Sequence, residues 1–509
     1  MKRLLWLVFV LFIFEAHAQK PNWQNLDLQQ DSVFGISTEK AYSTLLKHKQ
    51  KKKKYKPVLV AVIDGGVDTA HEDLRSLIWN NPGEIAGNGV DDDQDGYTDD
   101  VHGWNFIGGP KGNIHQENLE LTRLIRKGKF TPAMMEEYQK AARKDHNIVQ
   151  NISGFERVLD GMTAKMKIDS PTLSDFQNYT PDNGGEQQVK NVMVKVLEDD
   201  PDFTDFKVNE IDGTRKHFQD DLNYHLNLNF DPRPIVGDDT TNVTERLYGN
   251  NDVMGPDALH GTHVAGIIGA ERNNNIGIRG VADRVWIMSV RTVPDGDERD
   301  KDVANAIRYA ADRGARVVNM SFGKAYSPHK KVVDDAVKYA MSKDVLLVHA
   351  AGNEGENLDH ENNYPSRVYA DSSGMAGAWI EVGASGWKDD STLVASFSNY
   401  GKTTVDVFAP GVKIHSTIPG SKYIDESGTS MASPVVAGLA ALIREYYPKL
   451  TAVQVKDIIL KSVVKVDHPV FIKDDSGKKI AVPFSGICIS GGIVNAYNAL
   501  RLAAHYKGK

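Results

Sequence analysis

Apolar residues fall into two patterns along this chain. The first is the short, nearly unbroken run: Pro57-Val58-Leu59-Val60-Ala61-Val62-Ile63, Val285-Trp286-Ile287-Met288-Ser289-Val290, Val317-Val318-Asn319-Met320 and Val345-Leu346-Leu347-Val348-His349-Ala350. Runs of this length without polar alternation predict strands buried on both faces, as in a parallel sheet covered by helices. Amphipathic stretches such as Asp302 to Arg313 and Lys330 to Ser342 separate them. The alternation from about residue 250 to 450 predicts an α/β domain of three layers, with a mostly parallel central sheet flanked by helices.

The second pattern fills the region between Lys111 and Tyr248. Charged, amphipathic stretches dominate there, as in Asn118 to Lys127, Ala133 to Leu159 and Gly185 to Glu198, and long buried β runs are missing. This predicts a helical insertion over 111–248 that divides the sheet domain into residues 56–110 and 249–505.

Lys2-Arg3, the apolar run Leu4 to Phe14 and Ala16-His17-Ala18 form the layout of a cleavable signal peptide over 1–18, which predicts a secreted or periplasmic protein. No later stretch reaches the length of about 20 apolar residues that a membrane span needs. A short segment, 19–55, follows and ends in the basic run Lys47-His48-Lys49-Gln50-Lys51-Lys52-Lys53-Lys54. That run reads as a solvated linker, with a processing site or an anionic-surface contact as alternatives. The net charge of -8 gives no basic face for nucleic acid. A single cysteine, Cys488, rules out an intramolecular disulfide.

Three segments are hard to explain by packing alone. In Ala61-Val62-Ile63-Asp64-Gly65-Gly66 a carboxylate ends an apolar strand, where functional groups of parallel sheets collect. His260-Gly261-Thr262-His263-Val264-Ala265-Gly266 reads as a helix of small residues; its two histidines could hold a metal only with further ligands, and none stands nearby. In Ser427-Gly428-Thr429-Ser430-Met431-Ala432-Ser433-Pro434 a glycine turn leads into an apolar helix. Ser430 there is either an N-cap or a nucleophile favoured by the helix N-terminus.

These segments, in the order Asp, His, Ser, resemble the active-site blocks of the subtilisin-like serine proteases, the subtilases. His349-Ala350-Ala351-Gly352-Asn353-Glu354-Gly355 resembles the family's oxyanion-hole block, and Val318-Asn319-Met320-Ser321-Phe322-Gly323 its substrate-binding strand. The resemblance implies a subtilisin-like fold and a serine endopeptidase acting on polypeptide substrates. Asp64, His260 and Ser430 would form its triad, and Asn353 would donate to the oxyanion. Ser321 and Gly323 would pair with the substrate backbone. Gly352 and Glu354 would border the pocket for its side chain, Glu354 favouring basic residues.

Three departures qualify the match. The stretch between Asp64 and His260 is far longer than in minimal members, Val435 stands where the family often has His, and the N-terminal segment is too short for a full folding prodomain. An esterase of the α/β-hydrolase type would need G-x-S-x-G, and Gly428-Thr429-Ser430-Met431-Ala432 fails at its last position. A non-catalytic scaffold is the other rival, against which the intact set of four residues argues.

Asn88 to Asp100 packs Asp91, Asp93 and Asp95 ahead of Gly96, resembling the first half of a calcium loop. Counting from Asp91, position 12 is His102, so an EF-hand is not supported. The expectation is a structural Ca2+ held by Asp91, Asp93 and Asp95, with a solvated acidic turn as the alternative. Ser485 to Ala496 resembles the family's closing segment, which leads into the last helix.

Overall fold

The computed structural model describes residues 20–47 and 56–506. The expected signal peptide and nearly all of the lysine run lie outside the described residues.

Among the described residues nine strands form the central sheet: β1 (Val58–Asp64), β2 (Gly103–Asn105), β3 (Val285–Arg291), β4 (Val317–Met320), β5 (Leu346–Ala350), β6 (Trp379–Ser385), β7 (Val407–Pro410), β8 (Val464–Lys465) and β9 (Gly492–Ile493). Their spatial order is β8-β9-β7-β6-β5-β4-β1-β3-β2. All pairs are parallel except β8 with β9. Every residue of β1, β5 and β6 is buried. Side chains alternate between the two faces of a strand, so Val58, Val60 and Val62 enter one core and Leu59, Ala61 and Ile63 the other.

The expected strands are present, but β6 and β7 were not anticipated. Glu381 breaks the apolar run of β6. It can be buried because its carboxylate accepts hydrogen bonds from His349 Nδ1 and Trp379 Nε1, both at 2.8 Å.

The insertion is helical, as expected. Its main elements are α1 (Glu120–Arg126), α2 (Pro132–Met166) and α3 (Gly184–Asp199), followed by a further helical run to His225. Thr131 caps α2 ahead of Pro132, whose missing N–H costs nothing at a first position. Asn183 caps α3 by accepting from Gly185 and Glu186. The module has its own core, including Leu159, Met162, Phe176, Val189 and Met193. Residues 226–248 pack instead on the sheet domain. There Arg233 forms a buried two-point ion pair with Asp302, at 2.6 and 2.7 Å.

On the sheet, α4 (Leu259–Gly269), α7 (Thr429–Tyr446), α8 (Ala452–Lys461) and α9 (Ala496–Ala503) cover the Val60 face. The other face is covered by α5 (Asp300–Asp312) and α6 (Lys330–Ser342).

The N-terminal segment ahead of the lysine run packs on the sheet domain. Trp23, Ile36, Ala41, Tyr42 and Leu46 belong to the core beneath α4, α7 and α9. Trp23 Nε1 donates to Lys413 O, Asn25 to Arg279 O, and Asn495 to Ser37. Trp23→Ala should therefore destabilise the protein by about 3–5 kcal/mol, the usual cost of emptying a buried tryptophan site. A urea unfolding midpoint that does not move would show that this segment adds nothing to the core.

Candidate active site

Asp64 is the last residue of β1, buried, with its carboxylate at the C-terminal edge of the sheet. Its Oδ1 accepts the N–H of Gly65 at 2.7 Å. The same carboxylate faces His260 Nδ1, at 2.8 Å from Oδ1 and 3.0 Å from Oδ2. This closeness depends on two glycines. Gly66 has φ +138, and a Cβ there would lie 2.1 Å from Met254 O. At Gly261 a Cβ would lie 2.1 Å from Gly66 O, so any side chain would push α4 off the end of β1.

Burial pushes the His260 imidazole towards neutrality. The charge and hydrogen bond of Asp64 outweigh this, helped by Glu426 and Asp257, and leave its pKa above the usual 6.5. With Nδ1–H given to Asp64, the other ring nitrogen is left as the base. A cavity of about 280 Å³ opens beside the pair, bordered by His115, Asp257, Arg291 and Asp295. His115 stands at the start of the 111–248 segment, which thus begins on the same cavity as the Asp–His pair.

Ser430 is not the N-cap of α7. That position is Gly428, and Ser430 lies inside the first turn. Four residues on, Pro434 interrupts the helix and supplies no N–H, so the Ser430 carbonyl has no partner within it. Ser321 takes the vacated place. Its hydroxyl donates to Ser430 O at 2.9 Å, while Ser430 Oγ donates back to Ser321 O at 3.1 Å. Behind them, Ser433 Oγ donates to Asn319 Oδ1 at 2.8 Å, and Asn319 Nδ2 donates to Ser321 Oγ at 2.9 Å. The Ser430 hydroxyl thus rests on the carbonyl of the residue that follows β4.

Asn353 is exposed, and its orientation is set by Thr429. The Thr429 N–H and hydroxyl both donate to Asn353 Oδ1, at 2.9 and 3.0 Å, which leaves the Nδ2 hydrogens for a ligand. Glu354 folds back: Asn399 Nδ2 donates to its Oε2 at 2.6 Å, close beside Gly352. Gly352 has φ +102, which favours glycine, and a Cβ there would meet both groups. Gly323 faces the Asn363 side chain, whose Nδ2 donates to Ala350 O and Ala351 O at 3.1 and 3.0 Å.

Thr429, Ser433, Asn319 and Asn363 were not singled out from the sequence. Pro434 in an apolar helix was the available signal for the Ser321 contact.

The acidic loop brings the three expected carboxylates together. Asp91, Asp93 and Asp95 each present an oxygen within 4.8 Å of the others, and Glu84, Asp93 and Asp100 form an overlapping group. The unexpected element is Arg313, paired with Asp93, Asp95 and Asp100. One guanidinium does not cancel this charge. Burial pushes the Asp95 carboxyl up to about 6, with Asp100 and Asp93 adding to the rise and Arg313 opposing it.

A thermophilic serine proteinase from Bacillus sp. (strain AK1) is 48% identical over 185 residues, 36% of this chain and 42% of its own length. Subtilisin BL from Lederbergia lenta is 40% identical over 199 residues, 39% of this chain and 67% of its own. Thermitase from Thermoactinomyces vulgaris is 42% identical over 185 residues, 36% of this chain and 60% of its own. The match to the first of these therefore spans less than half of that relative's length. The model described as "Subtilase family" matches residues 55–480, most of the chain, and the chain belongs to that family.

Proposed function

We propose that the chain is a serine endopeptidase that hydrolyses polypeptides through an acyl-enzyme, with Asp64, His260 and Ser430 as triad and Asn353 as oxyanion donor. The observation that carries this reading is the 2.8 Å contact of Asp64 with His260 Nδ1, on a cavity also lined by Ser321, which exchanges hydrogen bonds with Ser430.

In this mechanism the Ser430 hydroxyl leaves Ser321 O and turns to His260. Its oxygen attacks the peptide carbonyl while His260 Nε2 takes its proton. Asp64 holds the imidazolium in place. The carbonyl oxygen, now negative, accepts from Asn353 Nδ2 and from the Ser430 backbone N–H at the start of α7. The C–N bond then breaks, and His260 returns the proton to the leaving amine. Water deacylates the serine by the same steps in reverse order. Ser321 and Gly323 pair with the substrate backbone, as an added strand pairs with a sheet edge. Glu354, held over Gly352, places negative charge at the side-chain pocket and supports a preference for basic residues.

The chain is read as a signal peptide over 1–18, an N-terminal segment over 19–55, a peptidase domain over 56–110 and 249–505, and a helical insertion over 111–248. This places the enzyme outside the cytoplasm. Among the described residues no helix is long and apolar enough to cross a membrane.

The acidic loop is proposed as a structural calcium site. Its donors are hard carboxylate oxygens, and Asp91, Asp93 and Asp95 each bring one within 4.8 Å of the others. Asp91, Asp93 and Asp95 would hold the ion. It would supply charge neutralisation and a cross-link for a chain without disulfides, and takes no part in hydrolysis.

Two outcomes test this reading. Ser430→Ala should abolish peptide cleavage with circular dichroism unchanged, and Asn353→Ala should lower kcat with little change in KM. The expected loss in kcat is about 10²- to 10³-fold, a magnitude carried over from subtilisin, where one such donor was removed. Retained cleavage by Ser430→Ala would refute the triad.

For calcium, an ion at 100 times its dissociation constant adds about 2.7 kcal/mol to the folded state. A chelator should lower the Tm, and Asp93→Asn with Asp95→Asn should remove that sensitivity. Superimposed melting curves with calcium and with chelator would leave the loop as an acidic turn closed by Arg313 alone.

A further inference from the structure

The contact between the insertion and the sheet domain contains a buried charge network. Arg123 of α1 is almost wholly buried. It donates to Glu120 Oε2 at 2.5 Å, to Asn118 O at 2.6 Å, and to the backbone oxygens of Asp297 and Glu298. Asp297 in turn accepts the Glu120 N–H at 2.7 Å, which ties the first turn of α1 to the 295–300 loop. Glu120 Oε2 also faces Lys324 Nζ at 3.2 Å.

Lys324 lies one residue beyond Gly323, and its ammonium is equally enclosed. It pairs with Asp300 at 2.9 Å and donates to Glu298 O at 2.7 Å. Its backbone is paired as well, with reciprocal hydrogen bonds to Tyr364 of 3.0 and 2.9 Å. The segment Ser321-Phe322-Gly323-Lys324 is therefore held at both ends: at Ser321 by α7, and at Lys324 by a site that α1 helps to build.

Burying an ammonium among carboxylates is worthwhile only when the geometry is closely set, because desolvation cancels much of the attraction. Such a network contributes position more than stability. We propose that Glu120 and Arg123, the first helix of the insertion, are positioning residues for the substrate strand, setting through Lys324 the place of Gly323 where an extended peptide pairs. The inference rests on the peptidase reading and on the role given there to Ser321 and Gly323. It gives the insertion a task in substrate binding that members with a short Asp–His connection must fulfil otherwise.

The test replaces the bridging charge. Glu120→Gln keeps the shape and removes the anion shared by Arg123 and Lys324. No cation is stranded by this change: Lys324 keeps Asp300, and Arg123 keeps Glu117 at 3.7 Å. Two substrates are compared on enzyme quantified by active-site titration. One is a peptide with four residues ahead of the scissile bond, which needs the strand; the other is a single-residue acyl nitrophenyl ester, which does not reach it. KM for the peptide should rise about tenfold with kcat nearly unchanged, because the acyl group is still presented to Ser430 but the strand is misplaced. The ester kinetics should stay as in the wild type. Glu137→Gln breaks a different contact between insertion and body, the exposed hydrogen bond from Tyr326, and should change neither substrate.

An unchanged peptide KM, or equal losses on both substrates, would overturn the inference and leave the network as structural packing. If Glu120→Gln gives no titratable enzyme, Glu120→Asp, which keeps the charge and shortens the reach, is measured and judged by the same outcomes. Ser430→Ala run in parallel separates the two claims. Peptide cleavage by that variant would defeat the peptidase reading itself, whereas its loss, with Glu120→Gln behaving as wild type, would defeat only the positioning role.

Discussion

The active-site geometry depends on one exchanged pair of hydrogen bonds, Ser321 Oγ to Ser430 O and Ser430 Oγ to Ser321 O. It exists because Pro434 cannot donate within α7, so the carbonyl four residues earlier must find a partner elsewhere. The partner is at the end of β4, and the bond fixes α7 against the sheet where the peptide chain would lie. A helix proline, usually a cost, here ties the turn that carries Ser430 to the segment that follows β4. Asn319 and Ser433 secure the same seam from the buried side.

Around that seam, the parallel sheet decides where polar chemistry can occur. Strands buried on both faces need their interior polar groups paired, and Asp64, Ser321 and the segment leading to Asn353 lie at or just beyond C-terminal strand ends. Glycine then sets the distances. Gly66 and Gly261 let α4 approach β1 closely enough for the Asp64–His260 contact.

Much of this was legible in the sequence. The apolar runs at 58, 285, 317 and 346 marked four central strands, and the amphipathic stretches marked the insertion, because both depend on local pattern alone. Strand β6 was hidden because Glu381 interrupts its apolar run, and the His349 partner that helps to satisfy its buried carboxylate comes from the neighbouring strand. The acidic loop was visible, but its counter-charge Arg313 lies more than 200 residues away. The N-terminal segment gave no core signal since its apolar residues are scattered, and only the folded chain gathers Trp23, Ile36 and Leu46 into one core. Ser430 was recognisable by its block, whereas its resting bond to Ser321 needed the two elements in place.

The central claim is that Ser430 becomes nucleophilic through a base held by Asp64. It is tested most directly by the rate at which a fluorophosphonate labels the protein, followed against pH with mass spectrometry locating the adduct. Labelling needs neutral His260, whose pKa is raised, so the rate should be low at acid pH and rise through a midpoint above 6.5. The adduct should sit on Ser430 and disappear in His260→Ala. Labelling at another serine, or at Ser430 with a rate independent of pH and of His260, would contradict the account.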